Sequence, residues 1–181
     1  MTAGQETMRT KTLAALREAT RDGELPIICD ASSCTEGLRQ AVESEVPAAG
    51  QRALRMVDAV DFAAERILPR LPDHGKLESL ALHPTCSSTR MGLNDALSAV
   101  AGAVAGRVEV PENWGCCAFA GDRGMLHPEL TASATAKQAA EVAGMDAAAH
   151  ASCNRTCELG MTRATGAQYR HVLELLEEVT R

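Results

Sequence analysis

The segment LESLALHPTC, residues 77–86, decides the fold class of this chain. Its first six residues form a short, mostly apolar run, and the His83-Pro84 step ends that run. A run of this length closed by a turn signal predicts a buried strand over 77–82. Cys86 follows the predicted strand after only a short loop. This one segment therefore contains both the end of a strand and a candidate functional cysteine.

Short apolar runs alternate with helical patterns on both sides of this segment. Further strands are predicted at 25–29, 107–110 and 147–150. Helices are predicted at 6–21, from a Ser32 or Ser33 cap onward, at 56–71 and from an Asn94 cap to 104, and then from Pro128 to 143 and around 172–179. The alternation predicts an α/β fold with a mostly parallel sheet flanked by helices.

Three cysteine sites each follow one of the predicted strands. Cys86 follows the strand 77–82, Cys116 and Cys117 follow 107–110, and Cys153 and Cys157 follow 147–150. The carboxyl ends of parallel strands meet at one edge of a sheet, which is where such folds place their sites. The cysteine loops are therefore expected to converge at the carboxyl edge of the strands.

Composition narrows the class of function. The chain of 181 residues has a formal net charge of −6, and aromatic residues make up only 2% of it. Without a basic stripe or aromatic stacking surfaces, we expect no nucleic-acid partner. No apolar run approaches the roughly 20 residues of a membrane span, and no signal peptide is visible, so we expect no transmembrane segment and a cytoplasmic location.

The seven cysteines in such a chain favour metal or redox chemistry over a disulfide framework. Thiolates select zinc, Cu(I) or iron–sulfur clusters. Zinc takes four ligands, whereas an iron–sulfur cluster can use a larger set. Three alternatives stay open: a structural zinc domain, a thiol–disulfide domain using Cys153 and Cys157, and an interaction domain whose cysteines are only packed.

Two histidines have an ambiguous role in the sequence. His83 could be a metal ligand or a proton carrier, although a structural role at the strand end is favoured, and His150 calls for the same interpretation. The chain contains no G-x-G-x-x-G after a predicted strand. Flavin or nicotinamide binding within this chain is therefore not indicated.

The cysteine order resembles one family. His83-Pro84-Thr85-Cys86, then WGCCAFAG over 114–121, then Cys153-x-x-x-Cys157 is similar to the CCG-type cysteine-rich domain. That family includes the iron–sulfur subunit of glycolate oxidase, the cysteine-rich subunit of heterodisulfide reductase and the C-terminal part of bacterial FAD-linked D-lactate dehydrogenases, which it resembles most. The resemblance covers roughly residues 25–181. It departs at Ala118, where the family usually has Gly, and in the three-residue spacing of the last pair.

The resemblance implies an iron–sulfur cluster, of the 4Fe-4S type, in an electron-transfer module. Its implied cofactor and metal ligands are Cys86, Cys116, Cys117, Cys153 and Cys157. Cys29 and Cys34 resemble the end of a first cysteine-rich half and form a partial second site. Residues 1–50 would be the remainder of that half, and 51–181 the complete domain.

The same resemblance implies partners. FAD would bind to a flavin-binding domain on a missing part of the same polypeptide and oxidise D-lactate or another D-2-hydroxy acid. The cluster would pass electrons to a quinone or cytochrome acceptor. This implies a cytoplasmic protein, with peripheral association at the inner face of the membrane as a further expectation, and a chain that is catalytically incomplete alone.

Overall fold

The computed structural model describes residues 3–181. The chain forms two compact units, of which one ends at Ala59 and the other is Val60–Arg181. No helix within residues 3–181 has the length and apolar character needed to cross a membrane. The assignment of 1–50 to a first cysteine-rich half stays a prediction.

The first unit has a two-stranded parallel sheet with helices. In chain order its elements are α1 (Ala3–Ala19), β1 (Ile27–Cys29), α2 (Ser32–Glu43) and β2 (Met56–Asp58). Ile27 pairs with Met56 and Cys29 with Asp58. A small apolar cluster of Leu13, Val42 and Leu54 holds these elements together.

Two expectations for this unit are wrong. The helix α2 already includes Ser32, so its N-cap is Ala31 rather than a serine, and the Ala31 methyl group can make no side-chain cap bond. Met56 and Val57 lie in β2 rather than in a helix. The apolar residues here fit the period of a strand as well as that of a helix, and pairing with β1 selects the strand.

The second unit is built on a four-stranded sheet. Its elements are α3 (Ala59–Phe62), a π-helical turn (Ala63–Ile67), a 3-10 turn (Leu68–Arg70), β3 (Leu77–Leu82), α4 (Cys86–Arg90), α5 (Asn94–Val104), β4 (Ala105–Glu109), α6 (Arg123–Leu126), α7 (Pro128–Ala143), β5 (Ala149–Ser152), α8 (Arg155–Thr165), β6 (Tyr169–His171) and α9 (Val172–Val179). The strand order is β4-β3-β5-β6, and every pair is parallel. The predicted α/β architecture with helices flanking a parallel sheet is confirmed.

The topology marks one place on this sheet for a site. The chain leaves β3 toward β4 on one side and leaves β5 toward β6 on the other, although β3 and β5 are neighbours. Such a switch point opens a crevice outside the carboxyl ends of the two strands. Beneath it, Leu80, Leu82, Leu97 and Val100 belong to the buried core between the sheet and its helices.

Only β3, among the four strands of this sheet, has the bounds that its sequence predicts. The predicted strand over 77–82 is confirmed as β3, while β4 begins at Ala105 and β5 ends at Ser152, each shifted by two residues from its prediction. The polar strand β6 is not predicted by its sequence. Leu93 occupies the N-cap of α5, so the prediction of Asn94 as its cap is wrong. The Asn94 amide oxygen instead accepts a hydrogen bond from Ser88 Oγ at 3.0 Å.

Candidate metal centre

The loops after β3, β4 and β5 bring the cysteines of the second unit to the carboxyl edge of its sheet. The pairing of β3 with β5 continues one step beyond β3, because the His83 N–H donates to the Ala151 carbonyl at 2.8 Å. Ser152 Oγ donates to the His83 carbonyl at 3.0 Å. These bonds fix the backbone of His83 at the switch point between the two strands.

A buried triad of His83, Cys117 and Cys157 forms the centre of this edge. Each residue offers one ligand atom, and these atoms all lie within 4.8 Å of one another. The two sulfur atoms are 3.1 Å apart. His83 is 0% exposed, Cys117 3% and Cys157 4%. Soft, buried donors at this spacing can hold a metal ion, and thiolate with imidazole suits zinc and iron.

The two buried thiols share one hydrogen bond, which separates their acidities. The hydrogen bond between the two thiols lowers the pKa of Cys117 to about 5, against the opposing effect of burial, and His83 and the Phe119 backbone N–H add to the lowering. The same bond, together with burial, raises the pKa of Cys157. Cys117 therefore gives up its proton more readily than an ordinary buried thiol does, which suits a thiolate ligand.

Two further thiols lie on the solvent side of the triad. Cys86, the first residue of α4, is half-buried, and Cys116 is exposed. Burial raises the pKa of Cys116, and a hydrogen bond with Cys86 raises it further, although the Ala118 N–H, 3.4 Å from the sulfur, opposes this. The charge of Cys86 also raises the pKa of Cys157, so the outer and inner thiols interact electrostatically.

Cys153 lies beside these residues but outside the buried triad. It is 2% exposed and belongs to the main apolar core of the second unit. Its Sγ lies 3.8 Å from Thr85 Oγ1, and Thr85 directly precedes Cys86. Cys153 directly follows β5 and thus lies next to the segment that carries Cys86.

The cysteines of the first unit are arranged differently. Cys29 is half-buried at the end of β1, with its Sγ 3.8 Å from the Ala31 carbonyl. Cys34 is exposed on α2. Within residues 3–59 no three His, Cys, Asp or Glu side chains bring ligand atoms as close as the buried triad does. The partial second site stays a prediction.

The loop after the Cys pair folds tightly over the triad. Ala118 and Ala120 adopt φ values of 54° and 44°, in the left-handed region. A residue with a Cβ costs roughly 1–2 kcal/mol there, which explains why glycine suits such positions. Between them Phe119 is fully buried and packs against Cys117 and Cys157, so it keeps water from the sulfurs.

Gly124 and Arg163 hold Phe119 in place. A Cβ added at Gly124 would lie only 2.6 Å from the Phe119 ring, so the chain passes the ring too closely for any side chain. The Arg163 guanidinium lies 5.4 Å from the ring centre. The attraction between this cation and the ring helps to keep Phe119 against the two buried sulfurs.

Sequence reasoning undervalues three residues of the site. His83, for which a structural role is favoured from the sequence, lies in the buried triad. Gln138 on α7 contacts the His83 ring at 2.8 Å, and the Asn154 side-chain nitrogen lies 3.7 Å from Cys157 Sγ. For His83 the available signal is its position at the end of β3, three residues before Cys86.

No protein-family model and no curated protein matches this chain. Its assignment to a function therefore depends on the motifs and on the geometry described above. The structure shows a His and Cys group suited to a metal ion, at the topological switch point of a parallel sheet.

Proposed function

We propose that this chain is an electron-transfer module that holds an iron–sulfur cluster, of the 4Fe-4S type. The observation that supports it most is the convergence of buried His83, Cys117 and Cys157, with Cys86 and Cys116 interacting beside them. These residues come from the segment after β3 up to the first residue of α4, from the loop after β4, and from the first turn of α8 after β5.

The residues present fit such a group. Deprotonated thiols are the ligands of iron–sulfur clusters, and Cys117 already has a lowered pKa. In the proposal, Cys117 and Cys157 are inner ligands, and Cys86 and Cys116 are ligands on the solvent side. Cys153, just after the end of β5, completes the set that the family resemblance implies. The bound cluster supplies one-electron redox chemistry.

The chain's own residues supply the surroundings for that chemistry. Phe119 excludes water above Cys117 and Cys157, which limits loss of inorganic sulfide and iron. Exposed Cys116 gives the centre a route for electrons to and from a partner. The left-handed backbone at Ala118 also supports the resemblance, because this is where the family usually has glycine.

The partners follow from the same resemblance. A flavin-binding domain of the same polypeptide would oxidise D-lactate or another D-2-hydroxy acid and reduce the centre. The centre would then reduce a quinone or cytochrome acceptor. The electron-transfer function itself depends on the metal centre, and the identity of these partners is a separate part of the proposal.

Anaerobic purification tests the proposal. We expect brown protein with several irons and an equal amount of acid-labile sulfide per chain, and an absorbance that bleaches on reduction. Colourless protein with one zinc would instead support a structural zinc domain. Matched Cys34→Ser protein, altered at an exposed thiol of the first unit, serves as the control.

One observation favours a second candidate, a thiol–disulfide function. The Cys117 and Cys157 sulfurs lie 3.1 Å apart, and closing to the bond length of about 2.0 Å needs a small shift. Oxidation would form the S–S bond with loss of two protons and two electrons, which a low-molecular-weight disulfide would accept as it is cleaved to two thiols. The pair differs from the predicted Cys153 and Cys157. Metal-free protein with a reversible 117–157 crosslink and no iron uptake would support this candidate over the first.

A further inference from the structure

His83 has a buried side chain whose two ring nitrogens are in different environments. The ring is fully buried, and one of its nitrogens lies within 4.8 Å of both the Cys117 and Cys157 sulfurs. Its Nδ1 contacts the Gln138 side-chain nitrogen at 2.8 Å. Its Nε2 is also buried and has no nitrogen or oxygen atom as a hydrogen-bond partner among the described residues.

The Gln138 contact points to one tautomer of this histidine. The structure has the Gln138 amide nitrogen toward the ring, and in that orientation the nitrogen donates while Nδ1 accepts and carries no proton. The proton of the neutral ring is then on Nε2. Gln138 is itself 2% exposed on α7, so the donor is held in place by packing as well as by this bond.

We propose that His83 is not the third metal ligand of the triad but a positioning residue, whose Nε2–H donates a hydrogen bond to the Cys117 sulfur in the metal-bound state. The His83 ring helps to lower the pKa of the Cys117 thiol, which is the direction expected for a donor close to that sulfur. A buried N–H with no oxygen or nitrogen partner gains a thiolate acceptor in this way, which removes its desolvation cost. The effect of this hydrogen bond on the reduction potential of the cluster rests on the proposed function.

The expected consequence is a change in redox tuning. Hydrogen bonds to ligand sulfur stabilise the reduced, more negative state of a cluster and raise its reduction potential. The His83 bond is buried on the inner side, where the local dielectric is low and such a bond is strong. Cys116 and Cys86, nearer solvent, have water as an alternative donor.

The tautomer can be tested without iron. In chain labelled with ¹⁵N-histidine, kept reduced and metal-free, long-range ¹H–¹⁵N spectra report which ring nitrogen carries the proton. Comparison with His83→Gln protein assigns the signal. We expect an Nε2–H ring in the metal-free chain and also after zinc is added. A proton on Nδ1, or an Nε2 signal shifted by direct zinc binding, would overturn the inference.

The redox effect is tested on the iron-loaded chain by potentiometric titration. His83→Leu, which has no donor, should shift the reduction potential to a more negative value, and His83→Gln, which retains an N–H donor, should recover part of the shift. Gln138→Glu should act like His83→Leu, because a carboxylate accepts from Nδ1–H and moves the proton off Nε2. Exposed His127→Leu is the control.

The outcomes separate this inference from the proposed function. Equal potentials in wild type, His83→Leu and Gln138→Glu proteins, all with full iron content, would overturn the role of His83 and leave the iron–sulfur centre in place. A wild-type chain that takes up no iron would refute the proposed function. In that case the tautomer measurement in the metal-free chain still decides whether His83 carries its proton toward Cys117.

Discussion

Both sheets of this protein carry cysteines at the carboxyl end of a strand, and within the described residues 3–181 only one of them brings three candidate ligand side chains together. In the first unit Cys29 and Cys34 come from one strand–helix connection, and Cys34 remains exposed. In the second unit the thiols come from separate strand ends, and Cys117 and Cys157 are buried together. The comparison shows that a site depends on several loops meeting at a switch point, more than on cysteines that are close in sequence.

The carboxyl edges of the two sheets also differ in how the helix after the strand begins, which is α2 after β1 and α4 after β3. Thr85 caps α4 with a complete capping box, in which its side chain accepts from the Ser88 N–H and Ser88 accepts from the Thr85 N–H. The N-cap of α2 is Ala31, which provides no side-chain bond. The start of α4, beside the buried triad, is thus stabilised by side-chain capping bonds that the start of α2 lacks.

The largest difference should appear in metal content. We expect Cys117→Ser to lower the iron content more than about tenfold after anaerobic reconstitution, because an inner thiolate is lost and even outer-shell changes cost 10–100-fold in metal affinity. Cys34→Ser should leave the iron content unchanged. Elemental analysis of both variants measures this. An equal loss in the two variants would remove the distinction between the edges.

A smaller difference should appear between two glycines. Gly124→Ala should lower the free energy of unfolding by about 1–3 kcal/mol, because its Cβ meets the Phe119 ring. Gly37→Ala, on α2 with open space around it, should raise the free energy by about 0.5–1 kcal/mol. Urea unfolding of the reduced, metal-free proteins measures both. A stabilising Gly124→Ala would show that Phe119 is not held closely.

The helix caps should give changes of about equal size and opposite sign. Thr85→Ala should cost about 1 kcal/mol of stability, since it removes the acceptor for the Ser88 N–H. Ala31→Ser should add up to about 1 kcal/mol, because Ala31 already has the extended backbone of an N-cap. Thermal unfolding under reducing conditions measures both. No gain in Ala31→Ser would mean that the N–H groups at the start of α2 are already satisfied.

The smallest effect should come from a surface ion pair of the second unit. Arg155, and then Arg170, lower the pKa of Glu174. The folded state therefore binds its proton less tightly than the unfolded state, so the stabilisation is present above the unfolded pKa and is lost as pH falls through the folded pKa. Glu174→Gln should cost only about a few tenths of a kcal/mol at neutral pH, because solvent and salt screen the pair.

Acid and salt titrations of stability check this. The difference between wild type and Glu174→Gln should disappear in strong acid and shrink with added salt. Glu45→Gln, in the first unit, should cost more than Glu174→Gln, because Glu45 accepts from both Nε and Nη2 of Arg17 and its side chain is 19% exposed against 40% for Glu174. The reverse order would contradict this comparison.

Much of the site can be predicted because it follows from a backbone rule. The run 77–82 has a clear length and a clear end, so the sequence predicts β3 with its correct bounds, and the parallel sheet then places Cys86, Cys116, Cys117 and Cys157 at one edge. β6 escapes prediction because Tyr169-Arg170-His171 has no apolar pattern and forms a strand only through pairing with β5. Gln138 escapes it because it is 55 positions from His83, on another element.

The central claim is that the sulfurs of the second unit bind one iron–sulfur centre. Anomalous diffraction at the iron edge, from crystals of the anaerobically loaded chain, tests it most directly. We expect a single strong iron peak within bonding distance of the Cys117 and Cys157 sulfurs. An iron peak located instead at Cys29 and Cys34, or a 117–157 disulfide with no iron beside it, would contradict the account.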